Sequence, residues 1–215
     1  MTIGRRALNA LHSRAVFSRR VRVLSRHVAR ALAGGASVLD VGCGDGSIAR
    51  AIMDLDPRIE IRGIDVLRRA KTLIPVDLFD GRRIPFADAS FDWVMLIDVL
   101  HHTDDPQVLL GEAARVARTG VVIKDHLRDG FAARATLGLM DWVGNRGHGV
   151  RLPYNYLSRA EWEPVFAGCG LEVAGWDGRL GLYPFPAGPV FDRGLHFVAT
   201  LRPGRRPARS DERGE

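Results

Sequence analysis

The sequence predicts an α/β fold: a mostly parallel sheet with helices on both faces. Two observations carry this. From Ser37 onward, short runs rich in Val, Ile and Leu alternate with stretches of helical period, as in strands joined by crossover helices. The first run, VLDV, opens into Gly42, Gly44 and Gly46. A strand of such a sheet leads into a turn of this kind where a ligand approaches the backbone.

The first strand is Ser37–Val41, followed by a helix over Ser47–Asp54. The second, Ile59–Ile64, ends at Asp65. A short third strand lies near Ile74–Val76, and the fourth is Phe91–Ile97. A helix over Pro106–Arg118 starts behind Asp104 or Asp105, either a suitable cap before proline. The fifth strand is Val121–Lys124. Residues 127–157 read as an insertion, helical near 130–143. Ser158 caps a helix over Arg159–Ala167, with Glu161 in its first turn. Strand six, Leu171–Trp176, is joined through the loop GLYPFPAGP to strand seven, Leu195–Leu201.

Ahead of the sheet, Phe17, Val21, Leu24, Val28 and Leu32 recur at steps of three and four. They make one helical face, and Gly34-Gly35 supplies the stop. The chain thus divides into a helical arm (1–35), a main domain (36–202) whose lid is the insertion 127–157, and a tail (203–215). The tail is too polar to build a core and is expected to be disordered.

With 46% hydrophobic residues in 215, the chain can bury a full core. No apolar run reaches the ~18 residues of a membrane helix. Cys43 and Cys169 are the only cysteines, too few for a disulfide framework. A cytoplasmic location is the expectation. The net charge of +6 comes from the ends: residues 1–33 hold eight Arg and no acid, while residues 34–201 are mildly acidic. A basic arm can attract anionic membrane or nucleic acid, but no aromatics are interleaved with it as base stacking needs.

A dinucleotide fingerprint spaces its glycines G-x-G-x-x-G; here they read G-C-G-D-G. Asp40, Asp45 and Asp65 would repel a pyrophosphate. They suit a cationic ligand without phosphate, and S-adenosylmethionine, with its sulfonium, ammonium and ribose diol, fits. Asp65 at the end of the second strand can accept from both ribose hydroxyls.

VLDVGCGDG, GIDV and IPFADASFDWVMLIDVLHH, in this order, resemble the motif series of class I S-adenosylmethionine-dependent methyltransferases, nearest the type 11 group that acts on small molecules. The resemblance covers roughly residues 36–125. It implies a Rossmann-like seven-stranded sheet with the last strand antiparallel. It also implies that Asp40, Gly42, Cys43 and Gly44 surround the methionine end of the donor. Asp65 would bind the ribose and Val66 pack on the adenine. Asp80, with Gly81 beside it, would accept from the adenine amino group, Asp77 being the competing acid and a plain D-G turn the competing reading. Ile97 and Asp98 would end the strand whose carbonyl meets the ammonium.

Methyl transfer needs alignment and, for some acceptors, a base. His102 and His126 are the candidate bases, ahead of His101, because all follow strands at the carboxyl edge. No metal is expected, since His101, His102, Asp104 and Asp125 lack a recognised ligand spacing. Phe131, Leu137, Leu139, Met140, Trp142, Tyr154 and Tyr156 of the insertion are candidates to line an apolar acceptor pocket, with Asn145, His148 and Tyr154 as its polar members. The expected activity is methylation of a small, partly apolar acceptor at O, N or C. Other readings are a macromolecular or lipid acceptor held by the basic arm, a nicotinamide-dependent enzyme, and a non-catalytic binding protein.

Overall fold

A computed structural model describes residues 3–32, 35–145 and 155–204, and of residues 3–16 and 143–145 the backbone alone. His148, Tyr154 and residues 205–215 of the expected tail lie outside the described residues, as does the side chain of Asn145; Pro203, expected in the tail, instead ends the last strand, paired with Leu171.

Seven strands form one sheet in the order β3-β2-β1-β4-β5-β7-β6. They are β1 (Ser37–Val41), β2 (Glu60–Asp65), β3 (Val76–Leu78), β4 (Phe91–Ile97), β5 (Ala117–His126), β6 (Leu171–Asp177) and β7 (His196–Pro203). The first five run parallel, and β7 is inserted antiparallel between β5 and β6. The inner strands are buried on both faces, so they read as continuous apolar runs. On one face α1 (Ile3–Ala31) and α2 (Ser47–Leu55) cover the sheet through Leu24, Val28, Leu32, Ala49 and Ile52. On the other, α3 (Pro106–Val116) and α5 (Arg159–Gly168) pack through Leu109, Leu110, Ala113, Trp162 and Phe166.

The helix starts follow their local chemistry. Asp105 accepts from the Gln107 N–H with Pro106 in the first turn of α3. Ser158 and Glu161 close a reciprocal capping box on α5. The helical arm is one helix, but Phe17 at its upper end is exposed rather than core. Two of its arginines point inward: Arg19 donates to the carbonyls of Leu182 and Gly181, and Arg20 pairs with Asp98.

Three expectations shift. The third strand is Val76–Leu78, not Ile74–Val76, because Ile74 is drawn into the core while Leu73 N–H donates to Asp45 O at 2.8 Å. The fifth strand runs on to His126, because pairing with β7 continues to His126↔His196 after β4 has ended opposite Lys124. The loop GLYPFPAGP leads into one helical turn, α6 (Gly188–Phe191). The insertion contributes α4 (Ala133–Asn145).

Gly120 sits where β5 is squeezed between neighbours: a Cβ there would strike the Leu201 carbonyl and approach the Trp93 ring to 2.9 Å. Gly120→Ala is expected to destabilise the protein by about 1–3 kcal/mol, read as a lower urea midpoint with an unchanged denaturant slope.

Candidate active site

The carboxyl edge of β1, β2, β4 and β5 carries the site. β1 ends at Val41, and Gly42 turns the chain with φ 71°. A Cβ at Gly42 would lie 2.6 Å from Val99 Cγ2, so only glycine lets the loop pass under the end of β4. Gly42 N–H and Cys43 N–H both donate to Ile64 O, at 2.8 and 3.2 Å, tying the loop to β2. Asp65 continues this: its carboxylate accepts from Gly44 N–H and Leu67 N–H, each at 2.8 Å. The Cys43 sulfur fills the space a Cβ at Gly63 would need, so its side chain faces β2 and only its backbone belongs to the loop.

Asp40 is 3% exposed and has no ion-pair partner among the described residues. Burial, and then the nearby Asp65 carboxylate, push its pKa up to about 8. A buried carboxyl without a cation beside it is held in its neutral form, and Asp40 lines neither of the two cavities that meet here. Asp45 is exposed, and its carboxylate accepts from Ser47 N–H at the start of α2.

Two cavities meet here. The smaller, about 360 Å³, is lined by Val66, Phe79, Asp80, Gly81 and Val99. The Asp80 carboxylate accepts from Arg82 N–H and Arg83 N–H, both 2.8 Å, and Gly81 has φ 78°. The D-G pair therefore forms a turn that is also cavity wall. Asp77 is committed to Arg62 at 2.7 Å and is not among the residues lining this cavity. The larger cavity, about 720 Å³, includes Gly44, Asp98, Lys124, His126, Met140 and Tyr183. Gly42 and His102 line both. Ile97 is buried in the core at the end of β4 and lines neither.

The larger cavity is walled by a polar network. Asp98, in a left-handed conformation (φ 58°), is clamped by Lys124 and Arg20. Burial would raise its pKa, but these two cations hold it well below the carboxylate range. His101 Nδ1 donates to Asp125 Oδ1 at 2.7 Å. Asp125 also accepts from Leu100 N–H and His126 N–H. Burial pushes His101 down, but the Asp125 carboxylate outweighs it and the net shift is upward. His126 is lowered to about 4 by burial, then by Lys124 and His101. His102 is lowered by burial and by His101, and its buried Nδ1 has no hydrogen-bond partner.

Asp98, His101 and Asp125 were named from the sequence, but not their pairing: the His101–Asp125 contact and the clamp that Lys124 and Arg20 make on Asp98 are seen only in the structure. Their trace is the run IKDH, where three successive residues of a buried strand, Lys124, Asp125 and His126, are ionisable. Asp98, His101 and His126 bring three potential ligand atoms within 4.8 Å of one another, but Lys124 and Arg20 already supply the cations beside Asp98. The insertion also differs from expectation. Leu137 and Tyr156 close a small core, and of the described members of the apolar set only Met140 borders the cavity; Phe131, Leu139 and Trp142 are exposed. Tyr156 instead bonds Asp141, which lies 3.6 Å from His101 Nε2.

The methyltransferase domain family model matches residues 39–123. Residues 39–123 are thus similar to a methyltransferase domain of the type 11 family. Its relatives include the O-methyltransferase resE of Aspergillus sclerotiorum, 35% identical over 99 residues, covering 40% of this chain and 37% of that protein. The UbiE ubiquinone/menaquinone C-methyltransferase of Cupriavidus metallidurans is 27% identical, covering 59% of this chain and 60% of the relative. The chain therefore spans less than two thirds of the length of these relatives. The PH0226 protein of Pyrococcus horikoshii superposes with a TM-score of 0.63 at 15% identity, over 87% of this chain and 91% of that one, a likeness of fold. A methyltransferase domain of this kind implies S-adenosylmethionine as its cofactor.

Burial pushes Asp40 up to about 8, so a ligand ammonium that pairs with its carboxylate displaces a proton. Affinity for S-adenosylhomocysteine is expected to rise with pH from 6 to 8, by up to about tenfold per unit, with proton release seen by calorimetry in buffers of different ionisation enthalpy. Asp40→Asn is expected to flatten that slope. The same shift makes the ligand-free protein less stable as pH rises from the unfolded value toward 8, because the unfolded chain gives up this proton first.

Proposed function

We propose that the protein transfers a methyl group from S-adenosylmethionine to a small, partly apolar acceptor at O, N or C, with His102 as general base. The observation that carries this is the meeting of the two cavities at Gly42 and His102. The smaller cavity takes the adenosine end on Val66 and Gly81, with Asp80 at the adenine edge and Asp65 at the ribose. The glycine loop and Asp40 take the amino-acid end, with the backbone at Ile97 and Asp98 facing the ammonium. The larger cavity takes the acceptor. The donor supplies an activated methyl on a sulfonium, open to in-line displacement.

The chain's own residues align the acceptor, exclude water and take up a proton. His102 is suited to the last task. Its lowered pKa keeps it neutral at pH 7, and its Nδ1 has no competing partner. Asp141 and Asp125 favour the imidazolium that forms. His126 is the weaker base of the two, since Lys124 and burial hold it near 4; it serves as wall and as support for Asp125. The polar wall near His101 and His102 suits a hydroxyl or amino group at the reacting end. Met140, Leu182 and Phe17 suit an apolar remainder. The names of the relatives, an O-methyltransferase and a quinone C-methyltransferase, point to the same reaction class.

Calorimetry with S-adenosylhomocysteine tests the donor. The wild type is expected to bind, and Asp65→Ala to lose most of that binding; no binding by the wild type would sink the proposal. For an acceptor found by screening phenols and hydroquinones with labelled donor, His102→Asn is expected to cut turnover by roughly 10²–10⁴-fold with donor affinity kept. At saturating donor the rate should be level across neutral pH and fall only below 6.5, the ordinary histidine value, as His102 becomes protonated.

A further inference from the structure

The crossover between β2 and β3, residues 66–75, forms no helix. It is laid against the glycine loop instead. Leu73 N–H donates to Asp45 O, and Ile74 Cγ1 occupies a point 2.6 Å from where a Cβ of Gly46 would be. This brings Arg69 and Lys71 onto the wall of the larger cavity that Gly42, Gly44 and Asp45 also form. Two other strong cations border that cavity, Arg20 and Lys124, and both are committed to Asp98. Arg69 and Lys71 make no ion pair among the described residues. Moreover, Arg69 Nε is shielded from solvent and has no hydrogen-bond partner.

A shielded, unpaired guanidinium N–H is an unfavourable arrangement that a bound acceptor group relieves. The planar fork of Arg matches a carboxylate with two parallel bonds, and a neighbouring Lys adds a point charge. We infer that Arg69 and Lys71 form a carboxylate-binding corner of the larger cavity. The inference rests on the donor assignment above. A ligand that places an ammonium at Asp40 and a carboxylate at this corner carries an α-amino acid end. The same corner would also take an acid borne by the acceptor. Its attachment to the glycine loop favours the donor's carboxylate.

Two ligands separate these cases in the full-length protein. S-adenosylhomocysteine carries the carboxylate; 5′-methylthioadenosine keeps the adenosine and lacks the amino-acid end. In calorimetry, R69Q/K71Q is expected to weaken S-adenosylhomocysteine at least tenfold and leave 5′-methylthioadenosine within twofold, which also shows that the variant is folded. Unchanged S-adenosylhomocysteine binding, together with loss in the variant of benzoate binding to the S-adenosylhomocysteine-saturated protein, assigns the corner to the acceptor's acid. Unchanged binding of both S-adenosylhomocysteine and benzoate overturns the corner, as does an equal loss of S-adenosylhomocysteine and 5′-methylthioadenosine. Failure of the wild type to bind S-adenosylhomocysteine is a different result, and overturns the donor assignment itself.

Discussion

Asp98 is clamped between Lys124 and Arg20 at the end of β4, and the carboxyl edge of the sheet is organised around that contact. Lys124 is 1% exposed. A lone ammonium or carboxylate at such depth is strongly unfavourable, and losing one partner of a buried pair typically costs 3–5 kcal/mol. The clamp therefore joins three elements: β4 through Asp98, β5 through Lys124 and α1 through Arg20. It reaches β7 as well, since Lys124 Nζ donates to His196 Nδ1 at 3.4 Å and His196 Nε2 donates to Phe191 O at 2.9 Å. A left-handed backbone at Asp98 is the local strain this arrangement accepts.

The clamp also sets the charge of its neighbours. Lys124 is a cause of the lowered pKa values of both His126 and His196, after burial. These two rings therefore stay neutral in the cavity wall. His101, one residue pair further along, escapes because Asp125 faces it directly. A few ångströms thus separate neutral imidazoles from one biased toward the charged form. His102, beside both, keeps a free nitrogen. Pairs of titratable groups driven apart in this way mark sites of proton transfer. At Asp40 the same physics runs in reverse: it has burial and Asp65 but no cation, and its pKa is pushed up to about 8.

Much of this was legible in the order of residues. The strand runs are apolar because both faces of a parallel sheet are covered, and Ser158, Asp105 and the glycine loop announce themselves by local chemistry. Asp40 and Asp65 were legible because the acid positions are fixed by the strand ends they occupy. The insertion was not. Its aromatics have helical spacing, but spacing does not say whether a helix presents them to a cavity, a small core or solvent. Leu137 and Tyr156 went to a core, while Phe131 went to solvent. The third strand was misplaced for a related reason: Ile74 looks like strand in sequence and is held by a hydrogen bond from its neighbour to Asp45.

The sequence by itself determined the alternation of elements and the glycine turn with its flanking acids. These are local properties, decided by period, by the lack of a Cβ and by residues next to strand ends. Only the tertiary structure decided which acids keep a free carboxylate and which histidine keeps a free nitrogen. Asp98 and Asp40 end in opposite states because Lys124 and Arg20, distant in sequence from Asp98, reach one of them and not the other. Pairing of buried charges is settled by packing across elements, and no local pattern encodes it.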